Sequence, residues 1–512
     1  MAEEELRLAD LLAALSLSTD AAMGQEPEKA IRACILATSI ARHLGVEEHV
    51  VADVYYTTLL KHLGCTATAH EELLLFGPDE AGMRPVAERL DVASARDIFD
   101  MLLITGRGAG IGRARIVARA MASAKTDTTS VIKAVCEVAR LMAARLGLGD
   151  EVGRALDESL ERWDGKGDPR KLRGEDIALP ARIAEPATQA VIFHRIGGTE
   201  AVLAMMDRRA GGWFDPAVAE AFRSVGPQAL DQLDREDPWA AVLDAEPEPI
   251  RRIPADRIDE IAGAFADMVD LKTPFTLGHS SGVADLASGA AARLGLTDRG
   301  SVRRAALLHD LGRIAVPNAL WEKAGPLITS EWEQVRLHPY HTERILTRSV
   351  ALAPLARIAG MHHERQDGSG YHHGAAAGEV PVEARVLAAA DAFQAMTQDR
   401  PHRGALPAAE AAASVTAAAR AGLFDPECVR AVVEEAGQAA GRVRGDWPAN
   451  LTDREVEVLR WVTRGSSNRA IAAELVISPR TAEHHVQHIY DKIGVATRAG
   501  AAVFAMEHGL VR

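Results

Sequence analysis

Nine of the eighteen histidines fall between His279 and His402. Among them are His279, the adjacent pair His309-Asp310, His338 and the adjacent pair His362-His363; Asp391 follows in the apolar stretch AAADAFQAM. A carboxylate among Ala and Phe is costly to bury unless it is paired or bound to metal. Imidazole and carboxylate without thiolate suit iron, manganese, zinc or a similar divalent ion. The set offers more ligands than one tetrahedral ion needs, and a carboxylate such as Asp310 can bridge two. Two ions about 3.5–4 Å apart would acidify a shared water and clamp both oxygens of a phosphoryl displacement. The chemistry to expect is metal-assisted phosphoester hydrolysis.

The elements that must position these side chains read as helices almost throughout. Ala, Leu, Arg and Glu dominate, and apolar residues recur every three or four positions, as Val283, Leu286, Ala290 and Leu294 do. Strand-like alternation is scarce, so the expectation is an all-α chain. At 512 residues, about three domains are expected. A Pro- and acid-rich segment, 231–256, and a short one, 441–450, read as linkers. They bound an N-terminal domain at 1–230, a second at 257–440 and a third at 449–512.

An internal repeat relates the first two domains. Glu161-Arg162-Trp163-Asp164-Gly165-Lys166-Gly167 returns 203 residues later as Glu364-Arg365-Gln366-Asp367-Gly368-Ser369-Gly370, and Arg182 falls on Arg385 at the same offset. Phe214-Asp215-Pro216 returns as Phe424-Asp425-Pro426, and Leu60-Lys61-His62-Leu63-Gly64 as Leu308-His309-Asp310-Leu311-Gly312. In the first copy Lys29 stands for His279, Lys61-His62 for His309-Asp310, Ser159-Leu160 for His362-His363 and Thr188 for Asp391. A lysine at a ligand position repels metal, so this copy is expected to hold no metal centre.

The second copy resembles an HD-GYP domain, the branch of the HD phosphohydrolases that cleaves cyclic di-GMP. The resemblance rests on Gly278-His279-Ser280, Leu308 to Ile314, His338-Pro339, His362 to Tyr371, Ala390-Asp391-Ala392-Phe393 and Asp399-Arg400-Pro401. It implies that His279, His309, Asp310 and Asp391 hold one divalent transition metal. Asp310 would bridge to a second, held by His338, His362 and His363, with iron or manganese the expected ions. Asp310 and Arg313 would serve catalysis. Gly368, Gly370 and Tyr371 would shape the loop beside a cyclic dinucleotide or other phosphoester. Two residues depart from the family: Arg313 replaces a lysine, supplying a planar fork rather than a compact ammonium, and His372 replaces a proline that would stiffen the loop.

The third domain starts LTDREVEVLRWVTRG, with Val456, Leu459 and Val462 at helical spacing and Gly465 as a helix stop. Asn468 opens a short helix. Ser478-Pro479 starts another, in which Ala482, Val486, Ile489 and Ile493 share one face. A scaffold helix, a tight turn and a second helix with a polar outer face are what major-groove reading requires. The segment resembles the LuxR-type helix-turn-helix of bacterial regulators. That resemblance implies a double-stranded DNA partner, contacts from Asn468, Arg480, Thr481, His484, His485, His488 and Lys492, and a homodimer through Ala502, Val503 and Met506. Arg480 and Lys492 would sit on phosphates and the histidines at base edges.

The net charge of −14 argues against a general nucleic-acid or membrane coat. Residues 449–512 balance eight basic against seven acidic side chains, so the acid lies elsewhere. The four cysteines, Cys34, Cys65, Cys136 and Cys428, form no CxxC, which argues against a thiolate zinc site and fits a reducing compartment. The opening MAEEELRLADLLAALS lacks a signal-peptide pattern, and no apolar run reaches membrane-spanning length. A cytoplasmic regulator coupling a metal-dependent domain to DNA is the expectation.

Overall fold

The structure, a computed structural model, describes residues 5–91, 94–107, 109–439 and 447–511. Helix makes up 66% of it, and strand is confined to one two-stranded sheet, as the all-α expectation required. The chain divides into two compact units, 1–257 and 258–512.

In the first unit, β1 (Glu5–Arg7) leads into α1 (Leu8–Ala22), α2 (Lys29–His43) and α3 (Glu48–Leu59). The long α4 (Arg113–Arg145) follows, then α5 (Leu179–Arg209), which breaks at Gly197 and Gly198, and α6 (Pro216–Leu233). The segment 231–256, expected to be a linker, is instead folded onto this unit. It contains the end of α6, helix α7 (Pro238–Ala245) and strand β2 (Arg252–Pro254), which pairs antiparallel with β1 in the register Leu6–Ile253. Its acidic residues are structural: Tyr56 donates to Glu246 at 2.7 Å, and Arg7 pairs with the same carboxylate. Composition suggested a linker because these partners lie some two hundred residues away.

In the second unit, α8 (Ile258–Asp270), α9 (His279–Arg293) and α10 (Arg299–Leu308) precede α11 (Thr329–Arg336), α12 (His338–Leu346) and α13 (Ala353–Gly360). Then come α14 (Val382–Met396) and α15 (Pro426–Ala439). The repeat read from sequence is a repeat of structure. Helix α2 packs on α3, α5 and α6, and α9 packs on α10, α14 and α15. The same local devices recur. Asp20 accepts from Ala30 N at 3.1 Å at the start of α2, and Asp270 accepts from Ser280 N at 2.8 Å at the start of α9. Glu161 accepts from Arg170 N and Leu172 N, as Glu364 does from His373 N and Ala375 N. Arg182–Asp215 is matched by Arg385–Asp425. Gly64 and Gly312 are both pressed against a neighbouring helix backbone: a Cβ would lie 2.0 Å from Val135 O in one and from His338 O in the other.

The last four helices, α16 (Asp453–Thr463), α17 (Asn468–Glu474), α18 (Pro479–Ile493) and α19 (Arg498–Glu507), enclose a small core of their own around Val456, Leu459, Ile471, Ala482, Ile489 and Ala505. Thr452 and Glu455 form a capping box on α16, and Ser478 caps α18 by accepting from Thr481 N at 3.0 Å. Asn468 opens α17 as expected, capped by Ser467, which accepts from Ala470 N. Most of the second expected linker lies outside the described residues. Among the described residues no helix is long and apolar enough to cross a membrane.

Candidate metal centre

Four of the histidines are aimed by their Nδ1 atoms. His309 caps the end of α10 with Nδ1 2.7 Å from Ala306 O. His338, just past α11, does the same to Val335 O at 2.7 Å, and His362, just past α13, to Ala359 O at 2.6 Å. Each ring thereby takes up a main-chain carbonyl in the last turn of its helix. With Nδ1 turned to a carbonyl in each, Nε2 is directed inward. His279, opening α9, sets Nδ1 2.9 Å from Gln398 Oε1.

The inward atoms converge. His279 Nε2 lies 3.1 Å from Asp391 Oδ1, and His309 Nε2 lies 3.4 Å from Asp310 Oδ2. Asp310 Oδ1 is 3.4 Å from His338 Nε2 and 3.7 Å from His362 Nε2. His363 Nδ1 stands 3.8 Å from Asp391 Oδ2. All the sequence-predicted ligands are therefore in one cluster, with Asp310 between two groups of imidazoles. Asp391 is positioned because α14 presents it to α9. Asp310 is positioned by the turn after α10, which Lys272 anchors by donating to Ile314 O at 2.8 Å. Thr342 of α12 ties the two sides, donating to His309 O at 2.8 Å and accepting from Gly312 N at 2.9 Å.

Electrostatics separates this cluster from an ordinary buried polar network. Burial pushes the imidazole pKa of His338 down to about 4 and that of His362 to about 3. Both rings are thus neutral at pH 7, both have Nδ1 committed, and their Nε2 lone pairs face each other at 3.1 Å. Such a contact is repulsive unless a cation lies between the donors. His309 Nε2 is likewise buried without a hydrogen-bond partner. Burial opposes charge on Asp310, yet His309, Arg313, His338 and His362 hold its carboxyl well below the usual range. Neutral imidazoles around ionised carboxylates are the donor set a divalent transition metal requires, so the residues fit the group.

The cluster opens into a cavity of about 680 Å³. Arg313 reaches in from one side, 2.9 Å from Asp310 Oδ2 and 4.0 Å over the ring of Trp321. Tyr371 lies 4.8 Å from His363, ring to ring. Gly370 is packed where a Cβ would lie 2.5 Å from Arg365 N, and Gly368 takes a φ of +77°, so both shape the loop that carries Tyr371. Sequence reasoning missed Trp321, Lys323, Trp332 and Arg403, which also line the cavity. It quoted Arg400 without giving it a role. Arg400 is half-buried, its pKa pushed down to about 10 by desolvation and by Arg313, and it donates to Phe275 O at 2.6 Å. The motif Asp399-Arg400-Pro401 was the signal available for it.

In the first unit the equivalent positions form a different network. Lys29 donates to Glu88 at 2.8 Å and touches His62 Nε2 at 3.0 Å, and Lys61 pairs with Glu185 at 2.6 Å. Burial and Lys29 bring His62 down to about 4.

On α18, Arg480, Thr481 and His484 are exposed and His485 is half-buried. Two other expected contacts are otherwise engaged. Lys492 donates to Glu455 at 2.8 Å and to Asn450 O at 3.0 Å, and His488 Nδ1 lies 2.8 Å from the same Glu455. The expected dimer surface also differs: Ala502, Val503 and Met506 are 4%, 2% and 5% exposed, and α19 packs on α16 and α8. Helical spacing marks an apolar face but not what covers it.

Comparison with known proteins agrees with this geometry. The HD domain family matches residues 263–428, and the luxR family of bacterial regulatory proteins matches 449–505. The chain is 31% identical over 439 residues to the 3′3′-cGAMP-specific phosphodiesterase 3 of Vibrio cholerae, covering 84% of this chain and 95% of that protein. It is 34% identical over 179 residues to a cyclic di-GMP phosphodiesterase of Thermotoga maritima, covering 34% of this chain and 48% of that one. A crystal structure of a cyclic GMP-AMP specific phosphodiesterase of Vibrio cholerae superposes with a TM-score of 0.59 at 28% identity, covering 85% of this chain and 98% of the other. With the histidine–aspartate cluster, the repeated helical unit and a near full-length relative in agreement, the chain belongs to the HD-GYP branch of the HD-domain family and carries a LuxR-family helix-turn-helix at its C-terminal end.

Proposed function

We propose that the second helical domain is a phosphodiesterase using two divalent transition metals, iron or manganese, on a cyclic dinucleotide, and that its ligand state sets the DNA binding of the LuxR-type domain. The observation that carries the reading is the pair of buried imidazoles, His338 and His362, whose Nε2 atoms oppose each other at 3.1 Å beside Asp310. His279, His309, Asp310 and Asp391 would hold one ion, and Asp310, His338, His362 and His363 the other. Bound there, such ions supply Lewis acidity toward water and a phosphoryl oxygen.

The chain's own residues do the rest. Arg313 and Arg400 bring two guanidiniums to the cavity beside the carboxylates, where they would fork onto non-bridging phosphate oxygens. Trp321, Trp332 and Tyr371 supply faces on which nucleobases stack. Asp310 both ligates and orients Arg313. 3′3′-cGAMP is the first substrate to try, since the relative aligned over most of this chain is specific for it. Full-length protein reconstituted with manganese or iron should hydrolyse 3′3′-cGAMP or cyclic di-GMP, and Asp310→Ala should lose at least about a hundredfold in rate. Metal-loaded protein that turns over neither nucleotide sinks the reading.

Coupling to DNA is supported by Gln398. It accepts from His279 Nδ1 and also lines a cavity of about 400 Å³ whose other wall is Arg460, Thr463, Arg464 and the chain end at 509–511. Substrate that shifts His279 would be felt at this wall. Operator affinity of the full chain should then change on the order of tenfold with a non-hydrolysable cyclic dinucleotide present. Equal affinity with and without it would reject the coupling, whatever the result of the hydrolysis assay.

A further inference from the structure

Beside the mouth of the central cluster, where the family has a proline, this chain has two adjacent histidines. From the geometry we infer that Glu343, His372 and His373 form a further divalent-metal site, separate from the central histidines and aspartates, for a borderline-soft ion such as zinc.

The donors come from two elements. Glu343 projects from α12, and its position depends on Gly360 of α13, where a Cβ would lie 2.9 Å from Glu343 Oε2. His372 and His373 follow Tyr371 in the loop. Their ring centroids lie 4.0 Å apart with the planes tilted by 38°, and the backbone there is fixed by Glu364, which accepts from His373 N at 2.8 Å. His373 Nε2 lies 2.9 Å and His372 Nε2 3.3 Å from the same oxygen of Glu343. Ligand atoms from all three residues fall within 4.8 Å of one another. At zinc bond lengths of about 2.0–2.1 Å, neighbouring ligands of a tetrahedron are separated by about 3.4 Å, so the two Glu343 contacts, at 2.9 and 3.3 Å, already lie close to ligand spacing. Water would take the remaining position. His372 Nδ1 is buried without a hydrogen-bond partner, so the Glu343 contact does not exhaust that ring.

The site belongs to the second copy alone. At the equivalent positions the first copy has Arg140, Pro169 and Arg170, none of which ligates metal. The consequence is mechanical. An ion here would fasten the loop bearing Tyr371, a wall of the substrate cavity, to the helix that starts at His338.

The test uses tag-free full-length protein and zinc alone. Equilibrium dialysis with elemental analysis should give one zinc per chain fewer in His373→Ala and in the conservative Glu343→Gln than in the wild type. Crystals soaked in zinc should show an anomalous peak between the three side chains. His362→Ala should retain that peak while losing central metal, which separates this site from the central reading. Equal zinc content in wild type and both variants, with no peak at the triad, leaves a hydrogen-bonded cluster and overturns the assignment.

Discussion

At the scale of single residues, the site depends on close approach as much as on ligands. Gly312 lets α12 come within contact of the turn carrying Asp310, since any Cβ there would meet His338 O at 2.0 Å and Thr342 N at 2.7 Å. Gly312→Ala should therefore displace the backbone of His338 itself. Overpacking of this kind costs about 1–3 kcal/mol, seen as a fall of several degrees in the unfolding midpoint of the second unit and a loss of bound metal. A variant that melts and binds metal like the wild type would show that α12 is less constrained than its contacts imply. The clustered histidines and aspartates were legible, because histidine and aspartate are rare in apolar helical sequence and their adjacency is conspicuous. Arg400, Trp321 and Trp332 were not. Arginine and tryptophan occur on any surface, and only the fold reveals that these face a cavity with a carboxylate at its floor.

At the scale of elements, helix ends do most of the positioning. Three imidazoles of the cluster are placed by carbonyls three residues earlier at a helix terminus, a relation visible in the sequence only once the helix boundaries are known. The DNA-reading helix illustrates the opposite limit. Its polar face was legible from periodicity, but Glu455, more than thirty residues away, claims Lys492 and His488. Of the two cations proposed for phosphate, Arg480 is exposed at the first turn of α18. Arg480→Ala should flatten the dependence of log affinity on log salt by about 0.9, while Lys492→Ala should leave that slope unchanged and instead lower the stability of the domain. The reverse pattern would mean that Lys492 leaves Glu455 when DNA binds. Burial tends to raise the pKa of Glu455, but Lys492, Thr452 and His488 hold it down to about 2. Its folded value is below its unfolded one, so its contribution to stability is full above about pH 4.5 and is lost as pH falls toward 2. Acid titration of melting should show this limb, and Glu455→Gln should abolish it.

At the scale of the whole molecule, one helical plan is used twice with opposite solutions to the same problem. Order and spacing of motifs made the duplication legible, while the true end of the first unit was not, because β2 closes on β1 from the far end of that unit's sequence. In the first unit Lys29 and Lys61, both nearly inaccessible, hold Glu88 and Glu185. Burial works against the charge on Lys61, yet Glu185 and Glu88 keep its pKa above the ordinary value. Residues 1–257, expressed alone, should accordingly take up no manganese or iron; a stoichiometric ion there would show that the lysines yield to metal. The ammonium groups are covalent counter-charges, present as soon as the chain is made. On the proposed reading, the second unit recruits its counter-charge from solution. A chelator should thus lower one calorimetric transition and spare the other, so that a cell short of transition metal would carry a molecule half intact and half loosened, its DNA-reading end attached to the half that has failed.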